Sequence, residues 1–361
     1  MEEDIACILF FIIEKRYNKC NQGKKKDGLV VMKDGFFRVG VATPEIQVAN
    51  CEYNSNIIIQ IVYDAAKKGA GAVVFPELCI TGYTCGDLFL QRLLLEQAAR
   101  ALFRIAEETK ELDCVIFVGL PVAVGPELYN CAAVLCGGRV LGLVPKTNIP
   151  NYSEFYEQRH FSKGPDLEEI ELNGQTIPLG THLLFACRNL PELIFGAEIC
   201  EDLWVACPPS SGLAAAGATV IANLSASDEI IGKAAYRRQL VYSQSGRTVS
   251  AYLYADAGEG ESTTDLVFSG HNLIAENGTL LAESRHFSNG VTLADIDLQR
   301  LSGERRRTTT CRTENADRYR KVFFDLRLRE LTLIRKISPY PFVPSGEEDL
   351  EQRCEEILGL Q

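Results

Sequence analysis

The sequence predicts an α/β protein in which short apolar strands alternate with amphipathic helices. Three observations lead to this class. Apolar runs rich in Val, Ile and Phe recur along the chain, as in buried strands. The segments between them repeat apolar residues every three or four positions, as in helices that cover a sheet. Hydrophobic residues make up 46% of the 361 residues, which is enough for a substantial core.

The first half of the chain alternates strands with helices and then forms a hairpin. The segment Cys136-Gly137-Gly138-Arg139 joins two strands, because glycine adopts the positive φ that tight turns require. Residues 151–165 are rich in aromatic and charged residues and are predicted to form a loop. Predicted strands lie over 37–42, 72–75, 115–120, 132–135 and 140–144, and predicted helices over 54–68 and 88–109.

The second half repeats this alternation. Glu276-Asn277-Gly278 predicts the turn of a second hairpin. The last strand is predicted to complete the sheet pattern, and the chain after Asp297 is basic and predicted to be helical. Predicted strands lie over 183–186, 193–199, 219–223, 250–255, 272–274, 280–282 and 291–296, and predicted helices near 211–216 and over 231–247.

The two ends differ from this central domain. Residues 1–31 form an atypical extension, predicted to be disordered or foreign to the native domain, and Met32 is an alternative start. Residues 32–338 form the main domain. Residues 339–361 are predicted to be a linker, marked by prolines at 339, 341 and 344, and the start of a truncated further domain. Its helix is expected to begin with Ser345 as N-cap and to run to Leu360.

Composition excludes several classes of protein. The net charge of -11, from 37 basic and 48 acidic residues, argues against nucleic-acid binding. The longest apolar run, 5–13, is too short to cross a bilayer, so no membrane partner is expected. Thirteen scattered cysteines without a CxxC pair indicate a reducing compartment, and we expect a cytoplasmic protein. The four histidines show no metal-ligand spacing, so no metal site is predicted.

Three chemically suited residues follow predicted strands. Glu77 follows Phe75-Pro76, Lys146 follows Val144-Pro145, and Cys200 ends the apolar run 193–200. A thiol needs a base to take its proton, and an amide carbonyl needs a positive group near its developing oxyanion. Glu77, Lys146 and Cys200 could supply the base, the positive charge and the nucleophile of acyl transfer from an amide.

Each residue also has an ordinary structural explanation. A buried Cys usually acts as a small apolar side chain. Glu77 could lie beside a helix N-terminus, and Lys146 could be a solvated charge at a strand end. The three together at strand ends favour a catalytic site.

The motifs around these residues resemble those of the nitrilase-type carbon-nitrogen hydrolases, which use a Glu-Lys-Cys triad. They are Phe75-Pro76-Glu77-Leu78 with Tyr83, Val144-Pro145-Lys146 with Tyr152 and Glu154-Phe155-Tyr156-Glu157, and Glu198-Ile199-Cys200-Glu201-Asp202-Leu203-Trp204. A narrower set is similar to the glutaminase domain of glutamine-dependent NAD+ synthetases. It comprises Asn223-Leu224-Ser225-Ala226-Ser227, Gly232, Arg237-Arg238 and residues 258–265. The resemblance covers about residues 32–361.

The resemblance implies a role for individual residues. Glu77 would be the base, Lys146 the oxyanion stabiliser and Cys200 the nucleophile that forms a thioester. Glu154, eight residues after Lys146, would be a fourth carboxylate that positions the lysine. Lys233 stands where an arginine often binds glutamine, and it keeps the charge but not the two-pronged geometry. The residues expected to contact L-glutamine are Tyr152, Ser227, Lys233, Tyr83, Phe155 and Glu201.

The resemblance also implies a nitrilase-like four-layer α-β-β-α sandwich and a homo-oligomer. It implies no cofactor for glutamine hydrolysis, whereas ATP and Mg2+ would be needed at a synthetase domain that converts nicotinic acid adenine dinucleotide (deamido-NAD+) to NAD+. The phosphate loop Ser-Gly-Gly-x-Asp of that domain does not occur in these 361 residues. The chain is therefore expected to release ammonia for a synthetase domain.

Two alternatives remain open from the sequence. One is a free-standing amidase or nitrilase that uses the same triad on another small amide or nitrile. The other is a non-catalytic assembly module, in which the Cys200→Ala change would leave ammonia release from glutamine unchanged.

Overall fold

The computed structural model describes residues 35–311, 316–327, 330–337 and 347–360. The expectations for residues 1–31 and Met32, for the prolines between 339 and 344, and for the Ser345 cap therefore lie outside the described residues. The predicted C-terminal helix is present over Glu347–Leu360. Among the described residues, no helix is both long and apolar enough to cross a membrane.

Seventeen strands and six α-helices make up the described chain. The strands are β1 (Phe36–Thr43), β2 (Ala72–Val74), β3 (Val115–Val124), β4 (Glu127–Cys136), β5 (Arg139–Pro145), β6 (Asn151–Tyr152), β7 (Phe155–Tyr156), β8 (Glu168–Leu172), β9 (Gln175–Leu179), β10 (Leu183–Cys187), β11 (Ile194–Ile199), β12 (Val220–Ser225), β13 (Ala251–Asp256), β14 (Leu273–Glu276), β15 (Thr279–Glu283), β16 (Gly290–Asp297) and β17 (Arg320–Phe324). The helices are α1 (Cys51–Lys67), α2 (Arg92–Glu108), α3 (Pro209–Ala215), α4 (Lys233–Thr248), α5 (Leu298–Arg307) and α6 (Glu347–Leu360).

The strands form two large sheets and one small hairpin. The first sheet has the order β16-β1-β2-β3-β4-β5-β9-β8, and the second has the order β15-β14-β13-β12-β11-β10-β17. Strands β6 and β7 pair only with each other. The two large sheets pack face to face, and Phe195 of the second contacts Phe37 and Phe117 of the first, with ring centroids 6.4 and 5.3 Å apart.

Helices cover the outer face of each sheet. Successive strand residues point to opposite faces, so Val74 faces the other sheet while Val73 packs with the helices. On the first sheet these helices are α1 and α2, and on the second they are α3 and α4, which bury Leu213 and Val241. The predicted α-β-β-α sandwich is confirmed.

Strand direction brings the predicted triad together. Strands β1, β2 and β3 are parallel, and so are β11, β12 and β13. Strand β5 runs antiparallel to β4, which runs antiparallel to β3, so β5 points the same way as β3. The residues that follow β2 and β5 therefore emerge at one end of the first sheet. The hydrogen bond from the Glu77 N–H to the carbonyl of Ser225, the last residue of β12, shows that the residues after β11 and β12 emerge at the same end of the sandwich.

The structure corrects four local predictions. The helix predicted over 88–109 begins at Arg92, because Gly86–Leu90 forms a 3-10 turn and Gln91 is extended. The predicted loop over 151–165 contains the β6–β7 hairpin. Strands β8 and β9 were not predicted, since only Ile170 is buried in the polar sequence of β8. Strand β17 adds to the second sheet beside β10, so β16 is not the last strand.

Candidate active site

Glu77 is held in a buried turn after β2. Its backbone N–H donates to the Ser225 carbonyl at 3.4 Å, and its side chain is 1% exposed. The turn lies against Gly119 of β3, where a Cβ atom would come within 2.1 Å of the Leu78 nitrogen. Glycine is required at that position because any side chain would displace the turn that carries Glu77.

Three donors bind the Glu77 carboxylate. Oε1 accepts hydrogen bonds from Lys146 Nζ and Asn130 Nδ2, both at 2.6 Å. Oε2 accepts one from the backbone N–H of Ala226 at 3.0 Å. Three donors on two oxygens fix the orientation of this carboxylate beside Lys146.

Lys146 lies at the centre of a buried charge cluster. Besides Glu77, its ammonium contacts both carboxylate oxygens of Glu157, at 2.7 and 2.9 Å. Burial alone disfavours its charge, but Glu157 and Glu77 outweigh burial and hold the pKa of Lys146 well above its usual value. Lys146 is therefore a fixed positive charge.

Cys200 begins a short 3-10 turn at the end of β11. Its φ is +44°, in the left-handed region that non-glycine residues rarely adopt. Such strained positions cluster at functional sites. The side chain is buried, and the following residue, Glu201, is half-buried.

The charges around Cys200 keep its thiol protonated at rest. Burial and the negative charge of Glu77 raise the pKa of Cys200 well above its usual value, while Lys146 acts in the opposite direction. Ile199, the residue before Cys200, pairs with Leu224, and the carbonyl of the following Ser225 accepts from the Glu77 N–H, so the backbone brings the thiol close to Glu77. A base is therefore needed to form the thiolate.

Asp202 links the turn at Cys200 to Asn148, two residues after Lys146. Its carboxylate accepts a hydrogen bond from the Ile199 backbone N–H at 3.0 Å. It also accepts bonds from the backbone N–H and side-chain amide of Asn148, each at 2.8 Å. Asp202 thus fixes the positions of Cys200 and Lys146 relative to each other.

Besides Glu77, the carboxylate that contacts Lys146 is that of Glu157, so the expectation that Glu154 positions the lysine is corrected. The β6–β7 hairpin reverses the chain after Lys146, so the buried 3-10 turn that begins at Glu157 reaches the ammonium. Glu154 is half-buried and lines a neighbouring cavity of about 270 Å3. Burial raises the pKa of Glu157, although Lys146 opposes the shift.

The residues predicted to bind glutamine differ in how far they are buried. Tyr83 is half-buried, and its hydroxyl donates to Glu157 at 2.9 Å. Tyr152 is exposed and donates to Glu201 at 2.9 Å, and both residues line an open cleft of about 790 Å3. Phe155 packs edge-on against Tyr152, with ring centroids 6.1 Å apart.

Lys233 lies at the first turn of α4. Its ammonium pairs with Asp228 and lies 5.1 Å from the Trp204 ring centroid and 5.8 Å from that of Phe155. Ser227, one residue before Asp228, is buried, and its hydroxyl accepts a hydrogen bond from Arg237 at 3.3 Å. The aromatic rings and Asp228 thus orient the Lys233 ammonium.

Three further residues of the site have no role predicted from the sequence. Glu157 lies in the motif Glu154-Phe155-Tyr156-Glu157, and Asp202 lies two positions after Cys200. Asn130 is a polar residue inside the apolar strand β4, and that isolated polarity was its only signal.

A possible metal-ligand cluster lies elsewhere, formed by His271, Glu283 and His286, whose donor atoms are all within 4.8 Å of one another. His271 Nδ1 accepts from Arg237 at 2.8 Å, so its Nε2–H donates to Glu283 at 2.6 Å. Burial lowers the pKa of His271 to about 4. Arg238 also pairs with Glu283, at 2.6 Å. The cluster therefore suits a hydrogen-bonded neutral imidazole better than a cation.

Comparisons with known proteins give the family of the chain. The chain is similar to the glutamine-dependent NAD(+) synthetase of Mycobacterium tuberculosis, with 40% identity over 338 residues, which are 91% of this chain and 50% of that protein. It is also similar to the protein of that name from Aquifex aeolicus, with 30% identity over 70% of this chain and 41% of the relative. The chain spans about half the length of the curated relatives it matches.

Solved structures share the fold. A glutamine-dependent NAD(+) synthetase from Cytophaga hutchinsonii matches with a TM-score of 0.65 and 30% identity, over 73% of this chain and 43% of that chain. An amidase of the nitrilase superfamily from Nesterenkonia AN1 matches with a TM-score of 0.59 and 19% identity, over 78% of this chain and 99% of the amidase, which shows the fold alone. The family model described as carbon-nitrogen hydrolase matches residues 38–306. The chain therefore belongs to the carbon-nitrogen hydrolase family.

Proposed function

We propose that the chain hydrolyses the side-chain amide of L-glutamine through a thioester on Cys200. The observation that carries this proposal is the buried contact of Lys146 with Glu77 and Glu157 at the strand ends where the buried Cys200 also lies. The relatives are named as glutamine-dependent enzymes, which supports glutamine as the substrate.

The first half of the reaction forms the thioester. Glu77 takes the proton from Cys200 as Sγ attacks the amide carbon, and the carbonyl oxygen becomes an oxyanion. Lys146 and the backbone N–H after the cysteine stabilise that charge. The C–N bond then breaks, and Glu77 gives its proton to the leaving nitrogen, which departs as ammonia.

The second half regenerates the thiol. Glu77 takes a proton from a water molecule, and the resulting hydroxide attacks the thioester carbon. The second oxyanion again lies beside Lys146. When the C–S bond breaks, Cys200 recovers its proton from Glu77 and glutamate leaves.

The amino-acid end of glutamine would lie near the cleft bordered by Tyr152 and Glu201. Lys233 supplies a positive charge for the α-carboxylate, and Phe155 and Trp204 bound the space around that ammonium. Glu201 offers a negative charge for the α-ammonium. Ser227 and Tyr83 complete the proposed substrate contacts from the buried side.

The ammonia would serve a synthetase domain that converts deamido-NAD+ to NAD+. The names of the relatives support this use, and the match to about half of their length supports a division between two activities. We propose that glutamine hydrolysis needs no cofactor, and that ATP and Mg2+ act only at the synthetase domain. A cytoplasmic homo-oligomer completes the proposal.

A substrate panel tests the proposed specificity. The chain is incubated with glutamine, asparagine, other ω-amides and small nitriles, and ammonia is measured with a Cys200→Ala control. We expect glutamine to be hydrolysed fastest and the control to release none. Strong turnover of a nitrile or another amide without glutamine turnover would favour a free-standing amidase or nitrilase. Ammonia release by the Cys200→Ala control that equals the wild type would favour a non-catalytic module.

A further inference from the structure

Asn130 is a fully buried amide in the middle of β4. Its side chain is 0% exposed, and Nδ2 donates to Glu77 Oε1 at 2.6 Å. The orientation of the amide follows from its partner, because only the NH2 group can donate to a carboxylate. Among the described residues, no donor reaches the other atom, Oδ1, although it is buried.

An amide in this state is unfavourable for folding. A buried polar atom without a partner loses its bonds to water and gains none in return. A leucine of similar size would fill the same space without that loss. The one hydrogen bond that the Asn130 side chain makes in the described structure goes to the proposed base, so the residue acts through Glu77.

The sheet places Asn130 beside the triad. The backbone N–H of Lys146 donates to the Asn130 carbonyl at 2.8 Å, so the two residues are neighbours on β4 and the end of β5. Their side chains meet on the same oxygen of Glu77. In the proposed reaction the Lys146 ammonium donates to the Glu77 carboxylate at rest and to the oxyanion during the reaction.

We propose that Asn130 is a positioning residue that holds Glu77 Oε1 in place while Lys146 turns toward the oxyanion. This inference rests on the proposed function, since it assigns Asn130 to the base of that reaction. When the ammonium shifts, the Nδ2–H bond keeps one donor on Oε1, and the Ala226 N–H keeps one on Oε2. The carboxylate then retains the direction needed to receive and return the proton.

The first test compares Asn130→Leu with Asn54→Leu. Asn54 is equally buried, but its amide accepts from Gln47 N–H at 2.7 Å and donates to the Gln47 and Ile80 carbonyls. We expect Asn130→Leu, which loses one hydrogen bond, to lower the melting temperature less than Asn54→Leu, which loses three. We expect Asn130→Leu to lower kcat for glutamine by about 10- to 100-fold, part of what a positioned base supplies. We expect Asn54→Leu to lower the melting temperature and leave kcat within about twofold.

A second variant separates positioning from packing. Asn130→Asp places two carboxyl groups 2.6 Å apart, where they cannot both be charged easily. When this pair holds one proton, the Asp can donate to Glu77 as the amide does. We expect its kcat relative to wild type to rise about tenfold or more as pH falls from about 8 to about 5.5, whereas Asn130→Leu shows no such recovery.

Alkylation of Cys200 by iodoacetamide, followed by peptide mass analysis, supplies a readout without glutamine. We expect Asn130→Leu to slow the labelling of Cys200 and to leave the labelling of the exposed Cys207 unchanged. Equal kcat and equal labelling in wild type and Asn130→Leu would overturn the inference. Wild-type chain that turns over no glutamine, but whose labelling still depends on Asn130, would overturn the proposed substrate and leave the positioning role supported.

Discussion

The ammonium of Lys146 contacts both carboxylate oxygens of Glu157, at 2.7 and 2.9 Å, eleven residues along the chain. This contact fixes the lysine between two carboxylates, because Glu77 binds it from the other side. Glu157 can then retain the ammonium in the site when it turns from Glu77 toward a developing oxyanion.

Removing the charge of Glu157 is expected to impair catalysis. In Glu157→Gln the ammonium loses one of its two charged partners and is held less firmly. We expect kcat for glutamine to fall about 100-fold or more. Glu154→Gln is the matched control, since Glu154 makes no described contact with Lys146, and its kcat should stay within about twofold. A larger fall in kcat in Glu154→Gln than in Glu157→Gln would support Glu154 as the carboxylate that positions the lysine.

Spacing in the sequence predicts the triad but does not show which nearby carboxylate contacts Lys146. Glu77, Lys146 and Cys200 were predictable because each follows a strand, and strands that run in the same direction end at the same end of the sheet. Glu157 was not separable from Glu154, because the β6–β7 hairpin decides which carboxylate turns inward. That hairpin pairs only two residues on each side and leaves little pattern in the sequence.

The supporting residues were harder to predict for a different reason. Asn130 lies beside Lys146 only because β4 and β5 pair in one particular register. Asp202 contacts Asn148, which lies more than 50 residues away in the sequence. Sequence periodicity places a residue on a strand or a helix but does not set such distant pairings. The layers could be predicted from alternation and resemblance, whereas the polar sequence of strand β8 gives little signal for the pairing that adds it to the sheet edge.

Asp202 is expected to contribute both stability and geometry. The Asp202→Asn change turns one acceptor oxygen into an NH2 group that faces the backbone N–H groups of Ile199 or Asn148. We expect the free energy of unfolding to fall by about 2–3 kcal/mol, measured by urea denaturation. Glu201→Gln, at the preceding position, should change the free energy of unfolding by less than about 1 kcal/mol because Glu201 is half-buried. Equal losses in the two variants would show that Asp202 has no special structural role.

Lys233 is expected to act on substrate binding more than on the chemical step. Lys233→Met keeps the aliphatic stem near Trp204 and removes the charge proposed for the α-carboxylate. We expect KM for glutamine to rise about tenfold or more with kcat little changed, and Lys233→Arg to remain close to wild type in KM. Lys67→Met, at an exposed position on α1, is the control. A fall in kcat at constant KM would contradict the binding role.

Glu198 is expected to make stability depend on pH. Its carboxylate accepts a hydrogen bond from Tyr252 and one from the Ser210 N–H at 2.7 Å, yet burial raises its pKa from 4.5 to about 7. Between these values the folded protein binds a proton that the unfolded chain has released. Stability therefore falls as pH rises from about 4.5 to about 7, by at most about 3 kcal/mol.

The Glu198→Gln variant tests this dependence because it cannot titrate. We expect its melting temperature to change less than that of the wild type between about pH 5 and about pH 7.5. Glu127→Gln, on the surface, should keep the wild-type dependence. If Glu198→Gln showed the wild-type dependence as well, another group would be responsible.

The most direct test of the account is to locate the covalent bond that it requires. The chain is treated with an electrophilic glutamine analogue, digested, and examined by peptide mass, with free glutamine as competitor and Cys200→Ala as control. We predict one label on the peptide that contains Cys200, lost when glutamine is in excess and absent from the variant. Labelling that glutamine does not prevent, or that persists in Cys200→Ala, would contradict the assignment of Cys200 as the nucleophile that acts on glutamine.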